Sequence, residues 1–218
     1  MRLIAESFVW PFRGAWLGRW LVGVLLVLLL PLFFIPLLGY AVAATRAAEL
    51  DATAGPPEWR LSGRLLSDGF WTALAIAITV LPFAILLNPL AAALSALRVW
   101  SASDPALASI HTHVLALLIL ALPWGMLTLL VMPHGTARFA ATARPGDLFN
   151  YFASLRAVAR EFVTWNVAAA AIVTAWVVAV ASAGLLCVGL VPGVFYAILV
   201  SAHAAATLGR EGPPATTG

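Results

Sequence analysis

Lysine is absent from this chain, and all twelve basic residues are arginine. Charge of either sign is scarce, at 10% of 218 residues, where soluble domains carry about 25%. That scarcity excludes an ordinary water-soluble domain. The net charge of +3 does not imply nucleic acid, because the arginines flank apolar segments. There they orient a chain in a bilayer and meet anionic headgroups. A lone cysteine, Cys187 in "GLLCVGLVPG", excludes an intramolecular disulfide and a thiolate-rich metal site, and its setting predicts an inert buried thiol. All-arginine usage suggests a GC-rich prokaryotic genome. The start, "MRLIAESFVWPFRGAW", lacks a signal-peptide layout: charges recur to Arg19 and no small-residue cleavage site follows.

What is present is apolar. Hydrophobic residues make up 63% of the chain and the mean hydropathy is +1.00. Four spans read clearly, at 70–97, 107–132, 163–183 and 190–208, each long enough for about 30 Å of hydrocarbon. Pro82, Pro89 and Pro123 are expected to kink them. Two polar connections, 46–69 and 133–162, are expected to lie on the cytoplasmic surface as amphipathic segments. In the second, Leu148, Tyr151, Phe152, Leu155, Val158, Ala159 and Phe162 form an apolar stripe flanked by Arg156 and Arg160. A weaker copy places Trp59, Leu66 and Phe70 on one side, a faint internal repeat. The expected fold is all-α: a polytopic transmembrane helical bundle of about six helical segments. Residues 1–208 form one integral membrane domain, and 209–218 a disordered tail.

The segment "VLLVLLLPLFFIPLLGYAVAA" decides the topology. Crossing once, it leaves at best eight arginines inside and four outside. Entering and returning, it leaves eleven inside and one outside, the distribution the positive-inside rule prefers. Pro31 and Pro36 supply a turn. A hairpin is therefore expected, with arms over 16–30 and 37–51, a reversal through 32–35, and both ends cytoplasmic. Each fifteen-residue arm is only about 22 Å long, short of the hydrocarbon thickness.

Intramembrane ionisable residues are the first place to seek function. The four spans hold almost none besides His203. Neutral candidates for a polar cavity are Asn88, Thr128 and Asn166, with Thr79, Thr174 and Ser201 beside them. Arg156, Arg160 and His203 are candidate headgroup or hydrogen-bonding contacts. No carboxylate, and no nucleophile with its base, is evident in the spans, so no enzyme and no catalytic residue is expected. His111 and His113, two apart on a helix, point about 200° away from each other, so no metal is expected there even with Asp104 nearby. No cofactor is expected. Seven tryptophans (10, 16, 20, 59, 71, 100 and 165) are assigned to the aromatic belt, with Trp124 and Trp176 deeper. Ala171, Ala175, Ala179 and Ala183, facing Gly189, Gly193, Ala197, Ser201 and Ala205, form small-residue ridges predicted to bring the last two spans closer than other neighbours.

The segments "WPFRGAWLGRWLVG", "PLLGYAVAATR", "LLSDGF", "ARFAATARPGDLF" and "FYAILVSAHAAATLGR" resemble, in that order, the prokaryotic membrane family termed domain of unknown function 4013. The likeness runs from about Phe8 to Arg210. A more distant likeness is to membrane domains attached to some glycerophosphodiester phosphodiesterases. The resemblance implies a multi-span integral membrane protein and brings no activity or catalytic residues. The chain departs from the family pattern in its alanine content and in lacking an early glycine pair. A structural, assembly or accessory module of the inner membrane is the expected role. A small transporter or a binder of lipid or another amphiphile is the alternative. The expected partners are the lipid bilayer with its anionic headgroups, and a membrane protein or second copy, with no nucleic acid.

Overall fold

The computed structural model describes residues 2–97, 105–184 and 189–210. The readings of Arg98, Trp100, Asp104, Cys187 and the tail beyond Arg210 fall outside the described residues. Among those described, every regular element is helical. They are α1 (Arg2–Val9), α2 (Trp16–Leu28), α3 (Leu30–Leu50), α4 (Gly63–Ala96), α5 (Pro105–Thr142), α6 (Gly146–Phe149), α7 (Tyr151–Arg160), α8 (Phe162–Ala181) and α9 (Leu190–Arg210). Short 3-10 turns at Trp10–Phe12 and Ser182–Gly184 complete the set. Five helices, α3, α4, α5, α8 and α9, are long and apolar enough to cross a membrane. With 34 and 38 residues, α4 and α5 reach roughly 50 Å or more, so each outruns the hydrocarbon.

The chain packs as two compact units, Met1–Ala73 with Val131–Gly218, and Leu74–Leu130. The first holds the denser core. It opens with α1 and the Trp10–Phe12 turn, after which the chain bends by 91° into α2. The thirteen residues of α2 reach only about 20 Å, too short to cross alone.

The chain then reverses. Leu29 leaves helical geometry (φ −96°, ψ 27°), as does Phe33 (φ −115°, ψ 20°) inside α3. Arg13 Nη1 donates to Ala52 O (2.7 Å) and Trp59 Nε1 to Arg19 O (2.9 Å). The start of α2 therefore lies beside the end of α3, and the segment is a hairpin. Its turn sits at 29–33, earlier than the expected 32–35. Pro31 is accommodated in the first turn of α3, where a missing donor costs nothing. Pro36 lies inside α3, and the irregular Phe33 relieves the clash of its ring with the carbonyl one turn back.

The closest backbone approaches are not where small-residue spacing placed them. A Cβ on Gly39 would lie 1.9 Å from Leu65 O, and one on Gly69 would lie 2.0 Å from Ile35 O. These two glycines seat α3 directly on the first turns of α4. The α8–α9 ridges are real, with Ala171, Ala175, Ala179, Ala197 and Ala205 buried. There, however, a Cβ on Gly193 would lie 2.5 Å from Ser182 Oγ and 3.0 Å from Ala179 Cα, a looser fit. Ser182 closes that turn, donating to Ala179 O (2.6 Å) and Gly189 O (2.9 Å).

The polar connections also differ from expectation. No helix occupies 51–62; Trp59 turns inward there, so it shares no helical face with Leu66 and Phe70, and the faint repeat dissolves. In the second connection, α5 continues to Thr142 and buries His134, Ala137, Phe139 and Ala140. The amphipathic stretch is broken at Asn150 and Glu161, leaving α7 as a ten-residue helix. Asn150 caps it, accepting from Ala153 N (3.1 Å).

Candidate functional site

Unit one concentrates polar and aromatic chemistry around the hairpin. Tyr40 on α3 stacks on Trp59 with ring centroids 3.6 Å apart and planes within 8°, and its hydroxyl donates to Pro57 O (2.8 Å). Phe195 of α9 packs beside both rings. It fits because Gly23 faces it: a Cβ there would lie 2.1 Å from the Phe195 ring. Trp20 meets Phe195 edge-on and donates through Nε1 to Pro11 O (3.0 Å). Trp59 thus belongs to the core rather than to an interfacial belt. So does Trp10, fully buried with its ring 5.3 Å from that of His203. Trp165 is buried too, whereas Trp176 stands on the outer face of α8. Trp124 in unit two is half-buried and donates to Thr79 O (2.6 Å).

His203 has a hydrogen-bonding role. Its Nδ1 lies 2.9 Å from Ser7 Oγ, and both residues are enclosed, at 1% and 2% exposure. A hydroxyl and an imidazole are thus brought together across 196 positions, a pair that inspection of the spans alone missed. No periodicity signals Ser7, because the pairing is created by the bend that lays α1 against α9. The pair clamps the first helix to the last.

At the polar ends of α3, α4 and α5 lies an ion network. Arg46 donates through Nε to Ala140 O (2.8 Å) and through Nη2 to Asp68 Oδ2 (3.1 Å). Asp68 is buried and also faces Arg64 Nε at 4.0 Å. Asp147 accepts from Arg138 Nη2 (2.6 Å) and Thr142 Oγ1 (2.5 Å). Partial burial pushes the Asp147 carboxyl up, but those hydrogen bonds and the charges of Arg138 and Arg144 outweigh it, leaving it below the usual carboxylate range. "LLSDGF" therefore carries two structural demands in adjacent positions: Asp68 for Arg46, and Gly69 for α3.

The two arginines predicted at the surface, Arg156 and Arg160, are exposed on α7. Ser154 and Val158 turn into the protein, while Phe152 (77% exposed), Leu155, Ala159 and Phe162 stand outward. The expected stripe is thus divided, since Leu148 and Val158 are buried.

Of the polar-cavity candidates, Asn88 lines a cleft of about 470 Å³ in unit two with Ser95, Ser109, Thr112 and His113. Thr128 does not line it and donates to Trp124 O one turn back (2.9 Å). Asn166 is exposed on α8 in unit one. His113 Nδ1 lies 2.8 Å from Ser109 O. Among the described residues no group of three or more His, Cys, Asp or Glu side chains could hold a metal ion.

A family model described as "Protein of unknown function (DUF4013)" matches residues 22–191. The chain belongs to this family. The match takes in the reversal at Leu29, the Gly39–Gly69 crossing, the Arg46–Asp68 pair and α7. It is shorter than the likeness read from sequence, and Ser7, Arg13, Arg19 and His203 lie outside it. No curated protein and no solved structure matches the chain. Membership in the DUF4013 family supports the membrane-spanning architecture and carries no activity.

Proposed function

We propose that this DUF4013 protein is a non-enzymatic structural or accessory module of a cytoplasmic membrane that rests α7 on the anionic inner leaflet. One observation carries the reading: α7 has a protein-facing side (Ser154, Val158) and an unpartnered apolar side (Phe152, Leu155, Ala159), with Arg156 and Arg160 exposed between them. In water such a face is unfavourable. At the level of the headgroups its phenyl and leucyl groups enter the acyl boundary while the guanidinium groups meet phosphates. The enclosure of Ser7 and His203 supports a clamping rather than a catalytic role. The arginine distribution supports a cytoplasmic side for both chain ends.

The test is nitroxide scanning of α7 in the full chain, reconstituted in vesicles containing phosphatidylglycerol. Labels at 152 and 155 should be accessible to oxygen, those at 156 and 160 to a water-soluble relaxant, and those at 154 and 158 to neither. Uniform access to the water-soluble reagent would make α7 a solvated surface helix and end this reading.

A second reading, a small transporter or amphiphile binder, draws on the cleft at Asn88, whose walls mix amide, hydroxyl and imidazole groups with alanine. Saturable uptake or binding of a solute, lost in Asn88→Leu, would favour it over the first.

A further inference from the structure

Arg19 has no answer among the described residues. Its Nε and Nη1 are enclosed and have no acceptor among the described residues. Its neighbour Arg13 is committed through Nη1 to Ala52 O (2.7 Å). Gly14, at φ +64°, brings the backbone against Arg19, where a Cβ would lie 3.2 Å from Arg19 Nη1 and 3.1 Å from Ala54 O. No acidic side chain forms an ion pair with either arginine among the described residues. A guanidinium held in this way is costly unless an anion neutralises it, and the delocalised charge can be met from its open edge.

The surroundings indicate what kind of anion. Trp16 and Phe12 stand exposed beside the mouth of the hairpin, and the Arg19 side of α2 continues one turn on with exposed Val22 and then Leu29. Aromatic side chains at a mouth above an apolar face are the arrangement of a membrane–water interface. We propose that Arg19, supported by Arg13, binds the phosphodiester headgroup of an anionic membrane lipid, whose acyl chains lie along Val22 and Leu29. The proposal deepens the reading of a protein resting on an anionic leaflet, but its site is the hairpin mouth and not α7. A free phosphate presents the same oxygen chemistry without the acyl chains.

The experiment titrates the purified full chain in neutral detergent, following intrinsic tryptophan fluorescence. The probes are dihexanoyl phosphatidylglycerol, dihexanoyl phosphatidylcholine and inorganic phosphate. Saturable binding of phosphatidylglycerol is expected, weakened about tenfold or more in Arg19→Gln and less in Arg19→Lys, which keeps the charge. Arg60→Gln, an exposed arginine paired with Glu58, should bind as the parent does, and a loss confined to Arg156→Gln/Arg160→Gln would put the lipid on α7 and overturn the Arg19 site. Inorganic phosphate binding as tightly as the lipid would overturn the lipid assignment. So would phosphatidylcholine binding equally well. Unchanged affinity in both Arg19 variants, or no saturable binding by the parent, would overturn the site. Should Arg19→Gln fail to fold by circular dichroism, the Arg19→Lys comparison decides.

Discussion

Asp147 shows how one side chain ties a connection to a span. It receives Arg138 from the end of α5 and Thr142 from the last turn, so its ionised form is favoured in the folded chain. A carboxyl lowered on folding contributes stability that is present above the ordinary carboxylate pKa of about 4 and is lost as pH falls through the lower folded value. Asp147→Asn should therefore lower the unfolding temperature in detergent at pH 7, and the gap to the parent should narrow below about pH 4. A gap independent of pH would mean that packing, not charge, is what the substitution disturbs. Such pairings were not legible in the sequence. Arg138 and Asp147 are nine positions apart, within a connection expected to lie on the membrane surface, and Ser7 and His203 are 196 apart. Residue type marks a group as polar, but only the path of the chain decides which polar groups meet.

Among elements, the decisive contacts are those where a side chain has been removed. Gly39→Ala forces a methyl into the Leu65 carbonyl, and Gly69→Ala one into that of Ile35. Neither backbone can yield without parting α3 from α4, so each should cost about 1–3 kcal/mol or more. Gly193→Leu should loosen α8 from α9, since even a Cβ there crowds Ser182 Oγ and Ala179. Gly125, within α5, has nothing within 4 Å of its would-be Cβ, so Gly125→Ala should be neutral or stabilising by about 0.5–1 kcal/mol. Thermal unfolding of the four variants in one detergent checks the order, and equal effects at Gly39 and Gly125 would contradict the crossing. The spans and the α8–α9 ridges could be read from sequence because apolar length and four-residue spacing are local properties. Gly39 and Gly69 escaped that reading because each is a single glycine whose partner lies on another helix. The surface helix was over-extended for a related reason: a wheel drawn through Asn150 and Glu161 assumes continuity that the backbone breaks there.

For the whole molecule, the hairpin carries the most. It places Arg13 and Arg19 beside the 51–59 connection and brings α1 within reach of His203. Arginine asymmetry and two prolines were enough to foresee the reversal, because a charge distribution averages over the chain and does not depend on any one contact. The exact turn was not foreseeable, since proline is compatible both with a helix start and with a break. Only α2, with thirteen residues, falls short of a full crossing, since the second arm is the twenty-one-residue α3 rather than a fifteen-residue helix. The short arm is tolerable if the surrounding bilayer thins and arginine stems extend toward the headgroups. The measurement that tests this most directly is cysteine accessibility in sealed cells, with Cys187 replaced by alanine. Ala5 and Thr53 are the positions to label, both being exposed in the structure. Ser7 is unsuitable because it is buried whatever the topology. A membrane-impermeant thiol reagent should spare Ala5→Cys and Thr53→Cys alike until the cells are opened, while Ser103→Cys, between α4 and α5, should react from outside. If positions 5 and 53 label from opposite sides, the segment crosses the membrane once and the hairpin account fails.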